Sequence, residues 1–257
     1  MKKIIMSSVV VAGMLFSSVS ADTISKQEKQ LAKVNYKLPS PFTMCAAFEK
    51  ASPNVQWSKY VTIKSAKIYD SLPKISYNLG MQISTAYLLF NDKKLSSTNF
   101  DAIVRLSDDL GISDTMTKRI KTIKQALRHN DKVVLKNELI MLSNDVEKSL
   151  NSNERLDLAV AMQVGAWINA INSTTKYLSV HYTKAGAEFV AQKRLVVALY
   201  KRLEKRNSLV FDTTTIKVIN SLKDIEKVIG SKKSLSKKDI KEINYITSKL
   251  VNQITAE

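Results

Sequence analysis

Cysteine is almost missing from this chain. Cys45 stands alone among 257 residues, so no internal disulfide can form and packing must hold the fold. A solitary thiol of this kind is expected as a small buried hydrophobe. Histidine is nearly as scarce: His129 and His181 each lack another His or Cys nearby, which removes the ligand spacing of a zinc site. Neither a phosphate-cradling glycine loop nor a Cys-x-x-Cys-His haem attachment occurs, so the expected cofactor complement is none. Proline stops at Pro73, after Pro39, Pro41 and Pro53, and glycine beyond Gly80 is limited to Gly111, Gly165, Gly186 and Gly230. A chain this poor in helix breakers reads as helix from Ser71 to its end.

Long apolar runs are also few. Lys2 and Lys3 precede apolar Ile4–Phe16 and the small-residue segment Val19-Ser20-Ala21, the layout of a secretory signal peptide over residues 1–21 with cleavage between Ala21 and Asp22. Ile4–Phe16 would span about 20 Å as a helix, short of the ~30 Å hydrocarbon core of a bilayer. Cys45 lies far beyond that stretch and lacks the Leu-x-x-Cys arrangement of lipid attachment. The expected mature chain, 22–257, is one all-helical domain in the periplasm or secreted, with 22–37 loosely ordered and no transmembrane span.

What is present is helical patterning. Ser40-Pro41 and Ser71-Leu-Pro73 read as helix entrances, the second opening a helix to about Phe90 with Ile75, Leu79, Ile83, Ala86 and Phe90 on one face. Trp57, Tyr60 and Val61 are expected to tuck the intervening connection against the core. Further helices follow Ser97, ending at Gly111; Ser113, ending near Asn130; and Asp131, with Val134, Leu135, Leu139, Leu142 and Val146 inward. Residues 152–181 differ, because Leu158 to Ala170 leaves almost no polar face, and a helix apolar all round is a buried one. Three amphipathic segments close the chain: Ala185–Arg206, Thr213–Ile229 and Ser236–Ile254, the last opened by the capping box Ser236-Lys-Lys-Asp239. The predicted fold is all-α, an antiparallel bundle of about eight or nine helices around the central helix 152–181. No internal repeat of 20–50 residues occurs.

Acidic residues are the remaining shortage, 23 against 40 Lys and Arg. Lys118, Arg119, Lys121, Lys124, Arg128, Lys132 and Lys136 face only Asp131 within 118–136. Lys193, Arg194, Lys201, Arg202, Lys205 and Arg206 face only Glu204 within 193–206. At helical spacing Lys121, Lys124 and Arg128 share a face, as do Lys201 with Lys205 and Arg202 with Arg206. Together with Lys118, these are the candidate contacts for an anionic partner: lipid, envelope polymer or acidic protein, rather than nucleic acid. Acids from neighbouring helices are the alternative neutraliser. Catalytic motifs are wanting. Ser234-Leu-Ser-Lys237 matches Ser-x-x-Lys, but it lies at a helix start without its partner segments and reads as capping. Asp108-Asp109 and Asp224/Glu226 read as solvated helix faces, His129 as a helix C-terminal residue and His181 as a core-edge residue.

Leu38-Pro-Ser-Pro-Phe42, Asn78-Leu-Gly80, Leu106-Ser-Asp-Asp-Leu-Gly-Ile112, and Asn153-Glu-Arg155 leading into Gly165-Ala-Trp-Ile168 occur in this order. Over residues 37–182 the chain thereby resembles an uncharacterised family of exported all-helical proteins of Gram-negative bacteria, many of them lipoproteins. Where that family tends to carry Tyr-Gly-x-Asp-Leu, this chain has Met81-Gln-Ile-Ser-Thr85, without the Asp. The resemblance implies an exported helical domain and no activity. The functional expectation is a non-enzymatic interaction or scaffold protein of the cell envelope. The alternative is a periplasmic ligand-binding or chaperone-like protein with an apolar pocket around Trp167, Tyr177 and Met162.

Overall fold

Short polar residues set the helix starts. In the computed structural model, which describes residues 40–52, 55–61, 69–90 and 97–256, α1 (Pro41–Ala51) begins on Ser40, whose Oγ accepts the Phe42 N–H. Helix α2 (Leu72–Leu89) begins on Ser71, which accepts from Lys74 N–H. In both, the proline sits in the first turn, where a missing N–H loses no intrahelical bond. Helix α3 (Ser97–Asp109) ends in a glycine-dependent turn: Gly111 has φ +67°, and the Ile112 and Gly111 N–H groups return to the Ser107 and Asp108 carbonyls. Then follow α4 (Thr117–Arg128), α5 (Lys132–Ser152), α6 (Leu156–Val180), α7 (Lys184–Val190), α8 (Lys193–Glu204), α9 (Thr213–Ile229) and α10 (Lys237–Thr255). No strand occurs among the described residues, and no described helix is long and apolar enough to cross a membrane. The signal peptide, the Ala21/Asp22 cleavage point and the segment 22–37 lie outside the described residues.

The core is built on a crossing of α2 and α6. A Cβ on Gly80 would fall well inside 3.0 Å of the Met162 carbonyl oxygen, and one on Gly165 equally close to the Tyr77 carbonyl oxygen. The two backbones therefore touch, each glycine leaving room for the other helix. Further along both helices, Asn169 donates to the Met81 carbonyl and to Thr85 Oγ1, so α2 and α6 run in the same direction. The other neighbours complete the bundle: α1, α3, α5, α9 and α10 against α2, and α1, α5, α7, α8 and α10 against α6. The hairpins α4–α5 and α8–α9 are antiparallel and joined by ion pairs.

Helix α2 departs from the one-faced pattern read in its sequence. Every residue from Lys74 to Phe90 is buried, including Lys74, Ser76, Asn78, Gln82, Ser84 and Thr85. The amide groups are accommodated by hydrogen bonds, Asn78 donating to the Tyr69 hydroxyl, Gln82 to Asn78 and Asn99 to Gln82, whereas the Ser76 and Ser84 hydroxyls have no partner among the described residues. Tyr77 donates to Thr215 of α9, while Lys74 reaches Asp70 at 3.4 Å. Hydrogen bonding makes this burial tolerable, because an unpaired polar group would cost about 1–3 kcal/mol. A second polar seam joins α6 to α10, where Asn172 receives Thr247, Ser248 and Asn244.

Three boundaries also differ from expectation. The central helix opens at Leu156 rather than residue 152, because α5 continues to Ser152 and Glu154 turns left-handed at φ +59°. The stretch after Ser113 forms a single 3-10 turn before α4 begins at Thr117. Ala185–Arg206 is two helices: at Ala191–Gln192 the backbone leaves the helical path, and the Gln192 side chain caps the Phe189 carbonyl.

In an exposed helix Gly→Ala stabilises by about 1 kcal/mol. Here Gly80→Ala and Gly165→Ala are each expected to destabilise by at least about 2 kcal/mol, since the helices must part. Urea unfolding of the two variants checks this; unchanged or raised stability in both would refute the contact.

Candidate functional site

The structure sorts the basic residues into those that hold helices together and those presented to solvent. Helix α4 buries Ile120, Ile123 and Ala126, so at 100° per residue its flanks and outer face are fixed. Arg119, on the α5 flank, donates from Nε to Asp145 at 2.5 Å and from Nη1 to Glu138 at 2.7 Å. Its partial burial opposes the charge, but the two carboxylates outweigh that and hold its pKa above the ordinary guanidinium value. Arg119 thus clamps the α4–α5 hairpin. On the other flank Lys124 reaches Asp101 of α3 at 3.8 Å. Between the flanks Lys118, Lys121 and Arg128 point outward, exposed, and pair with no carboxylate among the described residues. His129, also exposed, is the C-cap just past α4, at the helix C-terminus where its sequence position put it.

The second run is divided differently. Lys201 is 2.9 Å from Glu204, and the same carboxylate takes Lys223 of α9 at 2.8 Å. Burial alone would raise the Glu204 pKa, but these two ammonium groups hold it below the usual carboxylate value. Lys193 approaches Glu226, which also accepts the Tyr200 hydroxyl at 2.8 Å. Glu226 is therefore a partner in the α8–α9 seam rather than a solvated face, whereas Asp108 and Asp109 are exposed. Lys201 and Lys223 also stand 5.4 and 5.6 Å from the Tyr200 ring centre. Together with Lys227 these groups line a shallow hollow of about 440 Å³. Arg202 turns inward to Gln163 of α6; burial lowers its pKa, with Glu147 opposing and Arg206 adding to the fall. Lys205 and Arg206 stand past the end of α8, in the turn toward α9.

The two runs do not share a helix face. Helix α5 meets both, offering Glu138 and Asp145 to α4 and Glu147 to Arg202. Lys223 and Lys227 were not flagged from the sequence, because only the folding of α9 against α8 brings them beside Lys201.

A third grouping gathers Cys45, Glu49, Trp57, Tyr87 and Lys136. The Trp57 indole donates to Glu49 at 3.1 Å, and Lys136 lies over the Tyr87 and Phe90 rings. Burial raises the Glu49 pKa, with the Trp57 bond and Lys136 working against it. Burial, then Glu49, pushes the Cys45 thiol far up, so it stays neutral and unreactive. Of the proposed pocket walls, Met162 is buried where its carbonyl abuts Gly80 and Trp167 is buried on another face of α6. Tyr177 packs among Phe48, Trp57, Tyr60 and His181, and the His181 ring is 2.9 Å from the Tyr60 hydroxyl. Among the described residues no cluster of His, Cys, Asp and Glu could hold a metal ion.

No protein-family model, curated protein or solved structure matches this chain significantly.

Two outcomes are expected. Arg119→Ala should cost about 1–3 kcal/mol in chemical denaturation, while Lys121→Ala should stay within about 0.5 kcal/mol of the parent; equal effects would contradict the clamp. For Glu49 the folded pKa is raised, so ionising it weakens the fold as pH climbs past the ordinary carboxylate value. Glu49→Gln, which keeps an acceptor for Trp57, should raise the melting temperature at pH 7 and do nothing near pH 4. A pH-independent shift would remove the titration from the account.

Proposed function

We propose that this chain is an exported, non-enzymatic helical module of the cell envelope that docks through its basic faces on an anionic partner. The carrying observation is the outer face of α4. Lys118, Lys121 and Arg128 are exposed there without a carboxylate among the described residues, while Arg119 on the same helix holds α4 in place through Glu138 and Asp145. The fold thus has its own cation for structure and leaves three for a partner. Like charges at this spacing repel by a few tenths of a kcal/mol per pair, which an acidic surface relieves. The α8–α9 hollow, with Lys193, Lys201, Lys223 and Lys227, adds a second cationic surface, partly neutralised by Glu204, Glu226 and Asp224. Export draws its support from Lys2, Lys3, the apolar Ile4–Phe16 and Val19-Ser20-Ala21, and from the resemblance over 37–182. A periplasmic location makes lipid headgroups, acidic polymers and acidic proteins the available anions.

Titration with soluble polyglutamate and with anionic vesicles at rising salt is the test. Binding should weaken steeply as screening shortens to about 8 Å at 0.15 M. Lys118→Glu with Lys121→Glu and Arg128→Glu should reduce it by at least about tenfold. Salt-independent binding, or binding untouched by the triple reversal, would overturn the proposal.

A further inference from the structure

Several of the large apolar side chains that remain in water gather at one end of the bundle. Phe211 is 84% exposed, Leu72 46%, Leu156 43% and Ile216 42%. They are far apart in sequence, but two side-chain hydrogen bonds between neighbouring residues bring their segments together. Ser71, just before Leu72, donates to Asp212, just after Phe211, at 3.1 Å; Ser208 donates to Asp157, just after Leu156, at 2.8 Å. Ile216 lies one turn into α9, bonded back to Asp212. The patch is therefore the end at which α2, α6 and α9 begin, capped by the α8–α9 turn. Exposed large hydrophobics brought to one end of a fold mark a surface that meets something other than water.

The cations around it narrow the choice. Lys205 and Arg206 lie in the same turn as Phe211, and Lys217 follows Ile216; none of the three forms an ion pair among the described residues. Of the local acids, Asp157 is engaged by Ser208, Asp212 by Ser71 with the Thr215 N–H, and Asp70 by Lys74, while Glu154 stands exposed two residues before Leu156. Neither the α8–α9 hollow nor a second hollow along α10 is lined by Phe211, Leu72, Leu156 or Ile216, and Phe211 projects into solvent rather than lining a groove. A second copy would bring its own Lys205, Arg206 and Lys217 against these. An acidic polymer would satisfy the cations and leave the apolar group wet. A lipid surface with anionic headgroups satisfies both, and being fluid it needs no preformed socket.

We propose that this end of the bundle seats on an anionic lipid surface, Phe211 with Leu72, Leu156 and Ile216 entering the headgroup–acyl boundary while Lys205, Arg206 and Lys217 meet the headgroups. This rests on the anionic-docking reading above and commits it to lipid.

The test uses the chain from Asp22 with vesicles of phosphatidylcholine containing phosphatidylglycerol, and with polyglutamate beside them. Phe211→Ser with Ile216→Ser should lower vesicle binding at least about tenfold and leave polyglutamate binding unchanged. Phe211→Trp should show emission quenched by acyl-brominated lipid. Both positions are exposed, so folding is expected to survive, and the melting temperature checks it. Vesicle binding indifferent to Phe211→Ser and Ile216→Ser, or an indole emission of the Phe211→Trp variant that brominated lipid leaves unquenched, overturns the inference. If polyglutamate binding persists in that case, anionic docking stands alone; if neither probe binds, both readings fall. Self-association in ultracentrifugation that Phe211→Ser abolishes would instead assign the patch to a second copy and overturn the lipid assignment.

Discussion

Everything in this fold is arranged around the place where two helix backbones touch. Gly80 and Gly165 each stand where the partner helix leaves no room for a methyl group, and that contact sets the separation and register of α2 and α6. With the separation fixed, Asn169 can reach the Met81 carbonyl and Thr85 across the interface. Tyr77, whose carbonyl abuts Gly165, can extend its hydroxyl to Thr215 of α9. A bundle packed through large side chains would tolerate repacking; one packed backbone to backbone has a single spacing.

That tight centre explains a second property, the amount of polar material inside. Asn78, Gln82, Asn99, Asn169 and Asn172 are all buried and bonded to one another or to backbone and neighbouring side chains. Directional bonds of this kind reject alternative helix registers that interchangeable aliphatic side chains would accept. The surface follows the opposite logic. Arg119 and Glu204 are each held by two partners of opposite charge and join helix pairs, while Lys118, Lys121 and Arg128 join no helix pair among the described residues.

Much of the architecture was legible in residue order. Ser40, Ser71, Asp131 and Ser236 stand at helix starts with their side chains accepting the expected N–H groups, because capping depends on near neighbours only. The apolar run around Ala161 announced a buried helix for the same reason. What escaped notice is non-local. Helix α2 looked one-sided because its Asn and Gln residues are indistinguishable in sequence from solvated ones until Tyr69, Asn99 and Asn169 arrive from elsewhere. The break at Ala191 carries neither glycine nor proline. Lys223 and Lys227, like the company kept by Phe211, become visible only when α9 lies against its neighbours. The candidate cations stand in the sequence as runs, but which of them are presented and which are structural depends on partners from α3, α5, α6 and α9.

The parallel course of α2 and α6 has an electrostatic result. In an antiparallel pair the peptide dipoles largely cancel. Here the two helices begin at the same end as α9, so their dipoles add, but α5 finishes there at Ser152 and α8 at Glu204, and their C-terminal carbonyls oppose that sum. The dipole of the central pair is thus answered inside the bundle by its antiparallel neighbours, and orientation toward a charged surface falls to the side chains.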